Sequence, residues 1–234
     1  MSAAVPSRSL FVAGTDTGVG KTRVACALIA AARAQGIDAV GFKPIASGAQ
    51  RTPQGLRNDD ALALLRASGN QDDYGAINPL VFEPPIAPHL AAAEAGVVID
   101  PTALDRAHAQ LAQRHSHIVV EGAGGWLVPL NERQTFADWV GDRQWPVVLV
   151  VAMRLGCLNH ALLSIESIAR RTHLAGWIAN VIPPQQPQWQ ANIDTLRQRI
   201  DAPLWGTVGL DADESAAAAA LDSAPLRAWL RGSS

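Results

Sequence analysis

The chain has 234 residues, 48% of them hydrophobic and 17% charged, with a formal net charge of −2. That size and balance point to one large soluble domain with a sizeable core. The near-neutral charge without a basic block argues against nucleic acid as the main partner, and no apolar run reaches the length of a membrane span.

The elements predicted in chain order alternate between short apolar runs and helical patterns. SLFVAG (9–14) reads as a strand leading into a Gly-rich turn, and KTRVACALIAAARAQG (21–36) as a helix that Gly36 stops. AVGFKPI (39–45) is a second strand, ended near Pro44, and NDDALALLRASG (58–69) is a helix with a good N-cap. PTALDRAHAQLAQRH (101–115) opens with a proline in its first turn and is helical. HIVVEGAGG (117–125) is a buried strand that runs out into an acid and glycines, and TFADWVGDR (135–143) is a short helix. Strands at 146–153, 175–182 and 203–209 alternate with helices at 159–172 and 191–201. ESAAAAALD reads as a helix or a loose connection, and the packing of LRAWLRGSS is left open.

Apolar strands separated by helices predict an α/β fold in three layers, a mainly parallel sheet with helices on both faces. Ligands then bind beyond the carboxyl ends of the strands. The MSAAVPSRS start has no long apolar stretch, so no signal peptide is expected. Cys26 and Cys157 lie in apolar, helix-like contexts and read as reduced core residues of a cytoplasmic protein.

GTDTGVGKT follows a strand and opens a helix, the context of a phosphate-binding loop. Its glycines let backbone N–H groups turn inward, and the helix N-terminus adds positive potential. Lys21 can reach β- and γ-phosphates and Thr22 can hold Mg²⁺. The usual G-x-x-x-x-G-K-[ST] spacing is altered, because Thr15 stands at the first position and the glycine, Gly14, falls one residue earlier. Two acids can join Thr22 at a hard, oxygen-liganded cation. Glu121 ends an apolar strand, where a carboxylate needs a reason to be. Asp60 lies at a helix start, where it is equally explained by favouring the positive end of the helix.

Of the 19 basic residues only Lys21 and Lys43 are lysine, and all the others are arginine. Lys43 lies in GFKPIASG.

The motifs GTDTGVGKT, GFKPIASG, RNDDALAL, VEGAGGWLVPL and LGCLNHALL, in this order, closely resemble those of the dethiobiotin synthetase family over roughly residues 9 to 210. The resemblance implies a P-loop nucleotide-hydrolase-like fold and an ATP-dependent ring closure. One amine of 7,8-diaminononanoate captures CO2 as a carbamate, whose oxygen attacks the γ-phosphate of MgATP. The second amine then closes the ring of dethiobiotin and expels phosphate from the mixed anhydride. Residue by residue, Lys21 matches the P-loop lysine and Lys43 the catalytic lysine. Thr22, Asp60 and Glu121 match magnesium ligands, and Ser47 a substrate-contacting serine. Gly18, Val19, Gly20 and Arg23 belong to the nucleotide loop, and Gly122, Ala123 and Gly124 to a segment beside the phosphates. Asn180 matches an adenine-reading residue, with Gly209, Leu210 and Asp211 at the adenine loop, where the residues differ from the family's. Asn159 matches a residue that holds the substrate carboxylate of a neighbouring subunit, which implies a homodimer.

This gives Lys43 a physical reason to be lysine. A compact ammonium turns its donors toward a carbamate oxygen and a phosphate oxygen at once, whereas a guanidinium is a wide, fixed fork. The six histidines show no metal-ligand spacing; His115 and His117 read as surface or structural, and His160 as a neighbour of Asn159. Trp126 suits either packing or a substrate channel, and Asp16 suits holding the turn. Two other readings compete. A switch or partition-type ATPase would carry a second lysine early in the loop, where Thr15, Asp16 and Thr17 stand. A cobyrinate-type amide synthetase would need room for a glutaminase domain.

Overall fold

The computed structural model describes residues 7–232. The part of MSAAVPSRS up to residue 6, and the last two residues of LRAWLRGSS, lie outside them.

Strand β1 (Arg8–Gly14) is followed by helix α1 (Lys21–Ala34) and β2 (Ala39–Phe42). A small excursion comes next: β3 (Ile45–Ala46), β4 (Gln50–Thr52), β5 (Gly55–Arg57), α2 (Asp59–Ala67), α3 (Tyr74–Ile77), β6 (Leu80–Val81) and α4 (Pro88–Glu94). The chain continues through α5 (Pro101–Ala112), β7 (His117–Glu121), α6 (Phe136–Asp142), β8 (Val147–Ala152), α7 (Cys157–Ala169) and β9 (Leu174–Asn180). It closes with α8 (Trp189–Arg197), β10 (Leu204–Val208), α9 (Glu214–Leu221) and α10 (Ala224–Arg231).

Six strands form one sheet in the order β10-β9-β8-β1-β7-β2, and every pairing is parallel. Both faces are covered, so the strands are apolar throughout: Leu10 to Ala13, Ile118 to Val120 and Val147 to Val151 are at most 1% exposed. Helix α1 packs against both α2 and α9, while α5 packs on β7, α7 packs on β8 and β9, and α8 packs against α7. The sheet therefore has the three-layer form predicted. The register sets Val12 beside Glu121, Phe42 beside Val120, and both Ala152 and Val208 beside Asn180. The strands end together, and the polar residues that follow them share one edge.

The expected strand at 39–45 is cut at Lys43 and Pro44. Proline offers no N–H to a ladder, and the Lys43 N–H turns away to the carbonyl of Ile77 at 2.8 Å. Ile45 and Ala46 then pair with Leu80 and Val81 in a separate two-stranded sheet. ESAAAAALD forms α9, capped by the Asp213 carboxylate accepting from the Ala216 N–H at 2.8 Å. LRAWLRGSS contributes to α10, which buries Leu226 and Leu230. Both cysteines are free and buried. Among the described residues no helix is long and apolar enough to cross a membrane.

Candidate active site

The chain leaves β1 at Gly14, turns through residues 15–20 and enters α1 at Lys21. Gly18 and Gly20 hold positive φ angles of 72° and 87°, which suit glycine. At Gly20 a side chain is doubly barred, since its Cβ would lie 2.1 Å from Asn180 Nδ2. The first turn of α1 has no acidic residue to compete for an anion. Asp16 braces the turn as expected: Oδ1 accepts from the Thr17 N–H at 2.7 Å, and Oδ2 pairs with Arg154 at 2.5 Å. Lys21 donates to the Asp16 carbonyl at 3.0 Å. Burial, reinforced by the charge of Lys43, brings the Lys21 pKa down to about 8.

Lys43 comes off the end of β2 into the same space and is 3% exposed. Its ammonium donates to Glu121 Oε1 at 2.6 Å and Asp60 Oδ2 at 2.9 Å. Thr22 Oγ1 donates to the same Glu121 oxygen at 2.8 Å. Asn78 holds the Lys43 backbone by donating to its carbonyl at 2.7 Å. Burial works against the charge on Lys43, but the two carboxylates prevail and hold its pKa above the ordinary lysine value. Burial also pushes Glu121 up, while at Asp60 the Lys43 ammonium overcomes burial and holds the carboxyl below its usual range.

Thr22, Asp60 and Glu121 thus meet around one cation. The buried Oε2 of Glu121 has no hydrogen-bond partner. A hydroxyl and two carboxylates, one of which keeps an unpartnered oxygen, form a hard donor set suited to Mg²⁺, which keeps most of its shell for water and phosphate. That economy fits the finding that, among the described residues, no three His, Cys, Asp or Glu side chains gather as metal ligands.

These groups line a cavity of about 730 Å³ together with Gly18, Gly20, Arg23, Ser47, Ala123 and Gly124. Its far wall is Pro85 to Pro88, a stretch whose short apolar pattern carried no signal of this role. Asn58 ties two walls together. It caps α2 by accepting from the Ala61 N–H at 3.3 Å and donates to the Ser47 carbonyl at 3.2 Å. A larger cavity, about 980 Å³, is lined by Arg8, Pro146, His173, Trp205 and Trp229. It contains none of the residues predicted for chemistry.

Other predicted residues lie outside the main cavity. Val19 is wholly buried and supplies its carbonyl to Asn180 Nδ2 at 2.8 Å. Gly122 places its carbonyl 3.4 Å from the Lys43 ammonium. Asn180 is 1% exposed, and its Oδ1 accepts from Arg23 at 3.2 Å. Gly209 and Leu210 also offer their carbonyls to Arg23, while Asp211 is exposed. Asn159 is exposed on α7, with His160 beside it. His115 is not a surface residue but a buried tie between Asp38, at 3.0 Å, and Asp72, at 2.8 Å. His117 is buried as well and bonds the Leu230 carbonyl at 3.0 Å. Trp126 packs edge-on against Phe11 and is 3% exposed, so packing is its role.

A family model described as an AAA domain matches residues 8–217. The ATP-dependent dethiobiotin synthetase BioD of Xanthomonas oryzae pv. oryzae is 49% identical over 213 residues, spanning 91% of this chain and 95% of its own. The chain belongs to the dethiobiotin synthetase family. BioD 1 of Escherichia coli K12 is 46% identical over 86% of this chain and 90% of its own. BioD of Pseudomonas paraeruginosa is 49% identical over 93% of this chain and 97% of its own. Among solved structures, cobyrinic acid a,c-diamide synthase of Mycobacterium smegmatis with bound ATP analogue and magnesium aligns with a TM-score of 0.56 at 18% identity, covering 97% of both chains. A ParA family ATPase of Chlorobium tepidum aligns at 0.54 with 14% identity, covering 98% of both. Both share the fold of this synthetase, which is that of P-loop ATPases.

Proposed function

We propose that this chain, acting as one P-loop domain in the cytoplasm, is an ATP-dependent dethiobiotin synthetase. Its substrates are 7,8-diaminononanoate, CO2 and MgATP; its products are dethiobiotin, ADP and phosphate. The observation that carries this reading is that the only two lysines of the chain meet at one cavity, beside the only buried carboxylate in its wall.

The P-loop amides and Lys21 hold the β- and γ-phosphates, with Thr22, Asp60 and Glu121 as magnesium ligands. Magnesium bound there offsets negative charge on the phosphate oxygens. An amine of the diamine, held near Ser47, adds to CO2 and loses a proton to give the carbamate. A carbamate oxygen attacks the γ-phosphorus and ADP leaves. The second amine attacks the carbamoyl carbon, and the C–O bond breaks as phosphate departs. Lys43 turns from Glu121 and Asp60 toward the carbamate and the transferring phosphoryl group. There is little covalent work for the protein in such a transfer, so positioning and charge carry the catalysis.

Asn159 fits the same reading. It lies on an exposed face of α7, flanked by Leu155 at 91% and Leu163 at 58% exposure. A homodimer in which this face covers the partner's cavity would place Asn159 at the substrate carboxylate. The test is to incubate the protein with MgATP, bicarbonate and 7,8-diaminononanoate, omitting each in turn. Dethiobiotin forming one-for-one with ADP, only in the complete mixture, is the expected result. ADP release indifferent to the diamine would instead favour a switch ATPase.

A further inference from the structure

Arg23 follows the P-loop threonine on the first turn of α1, and among the described residues its guanidinium pairs with no carboxylate. Its donors go to four oxygens instead. Nη1 donates to Asn180 Oδ1 at 3.2 Å, and Nη2 reaches the carbonyls of Gly209 at 2.6 Å, Leu210 at 3.3 Å and Ala212 at 2.6 Å. Since a guanidinium only donates, the Asn180 amide must turn its oxygen toward Arg23. Its nitrogen then faces the Val19 carbonyl at 2.8 Å. One side chain ties together the phosphate loop, the end of β9 and the loop between β10 and α9.

This arrangement changes what a nucleobase meets. Asn180 is 1% exposed, whereas Arg23 lines the cavity. An exocyclic amine is recognised by acceptors, and a site built on such hydrogen bonds rejects analogues that lack the donor. Here Asn180 Oδ1 and the carbonyls of Gly209, Leu210 and Ala212 lie behind Arg23, outside the cavity lining, and are already engaged by its guanidinium. What lines the cavity on this side is Arg23 itself, and a guanidinium can stack on any base but offers an exocyclic amine no acceptor. We propose that Arg23 is the specificity-determining residue of the nucleotide site, and that by occupying these acceptors it makes the enzyme indifferent to the 6-amino group of the purine. The inference rests on the nucleotide site proposed above, with the base beside Arg23 and Asn180 where the family resemblance puts it.

The experiment is calorimetric titration of the folded protein with ADP and with IDP, both with Mg²⁺ and without diamine. The two Kd values of the unaltered protein are expected to agree within about threefold. Arg23→Ala frees the carbonyls and the Asn180 oxygen; it weakens both ligands and shifts the ratio toward ADP by about tenfold or more. Arg23→Gln, which can satisfy one carbonyl at most, shifts it in the same direction and serves if the alanine variant does not fold. A preference for ADP beyond about tenfold in the unaltered protein overturns the proposal, as does an equal loss of both ligands in folded variants. If neither nucleotide binds, the nucleotide role falls along with it; if dethiobiotin forms but the ratio is wrong, only the proposal for Arg23 falls.

Discussion

With Glu121 fully buried, removing the ammonium of Lys43 leaves a carboxylate in the core without its counter-charge. Breaking a buried pair on one side costs about 3–5 kcal/mol. The metal-free Lys43→Met protein should therefore melt at a lower temperature than its parent. It should also bind Mg²⁺ more tightly, because Lys43 no longer competes for Glu121 and Asp60, and Mg²⁺ should recover part of the lost melting temperature. A variant whose melting and metal affinity match the parent would contradict this. Lys43→Arg should keep the fold and lose about a hundredfold or more in turnover, the scale of losing one oriented donor at a transferring group; a fully active variant would contradict the shape argument.

Lys21 carries the pH dependence. Its folded pKa of about 8 lies below the ordinary 10.5, so between these values the unfolded chain holds the extra proton. The group therefore adds stability as pH rises through that window. Nucleotide binding runs the other way, since phosphate favours the charged lysine. Above pH 8 the MgADP affinity should fall by up to about tenfold per pH unit, and titration across pH 7 to 10 would show it; a flat profile would contradict the assignment. That both lysines come to one cavity was legible in the sequence, because the phosphate-loop context and the ends of the predicted strands place them on the same edge of the sheet. The Arg23 clamp was not, because its four acceptors come from β9 and from a loop some 190 positions away.

At the scale of elements, apolar periodicity located all six strands of the main sheet, since strands buried on both faces have few other ways to be written. It merged β2 with β3, because Val40, Phe42 and Ile45 are equally apolar and only the missing proline N–H separates them. It passed over the β4–β5 hairpin, which is short and largely exposed, and α4, where prolines and alanines give no clear period. The close packing of α9 on β10 explains why glycine stands at 206. A Cβ there would lie 2.2 Å from the Ala220 carbonyl oxygen. Gly206→Ala should force α9 outward, destabilise by about 1–3 kcal/mol, and weaken nucleotide binding through the 209–212 loop. Denaturant titration alongside ADP binding would read both, and an unchanged midpoint would contradict this packing.

For the whole molecule, the proposed arrangement requires two chains. Sedimentation should give about twice the 24.7 kDa chain mass. Replacing Leu155 and Leu163 by Asp should yield monomers that keep their fold and bind ADP but lose affinity for the diamine; monomers with full affinity would contradict the shared site. The central claim, that a carbamate oxygen attacks the γ-phosphate beside Lys43, is most directly tested with 18O-labelled bicarbonate. The reaction is run briefly with MgATP and 7,8-diaminononanoate, and the products are weighed by mass spectrometry. The account requires one labelled oxygen in the released phosphate and one retained in the ring carbonyl of dethiobiotin. Phosphate carrying only solvent oxygen would mean that ATP is hydrolysed by water and that the mixed anhydride is never formed.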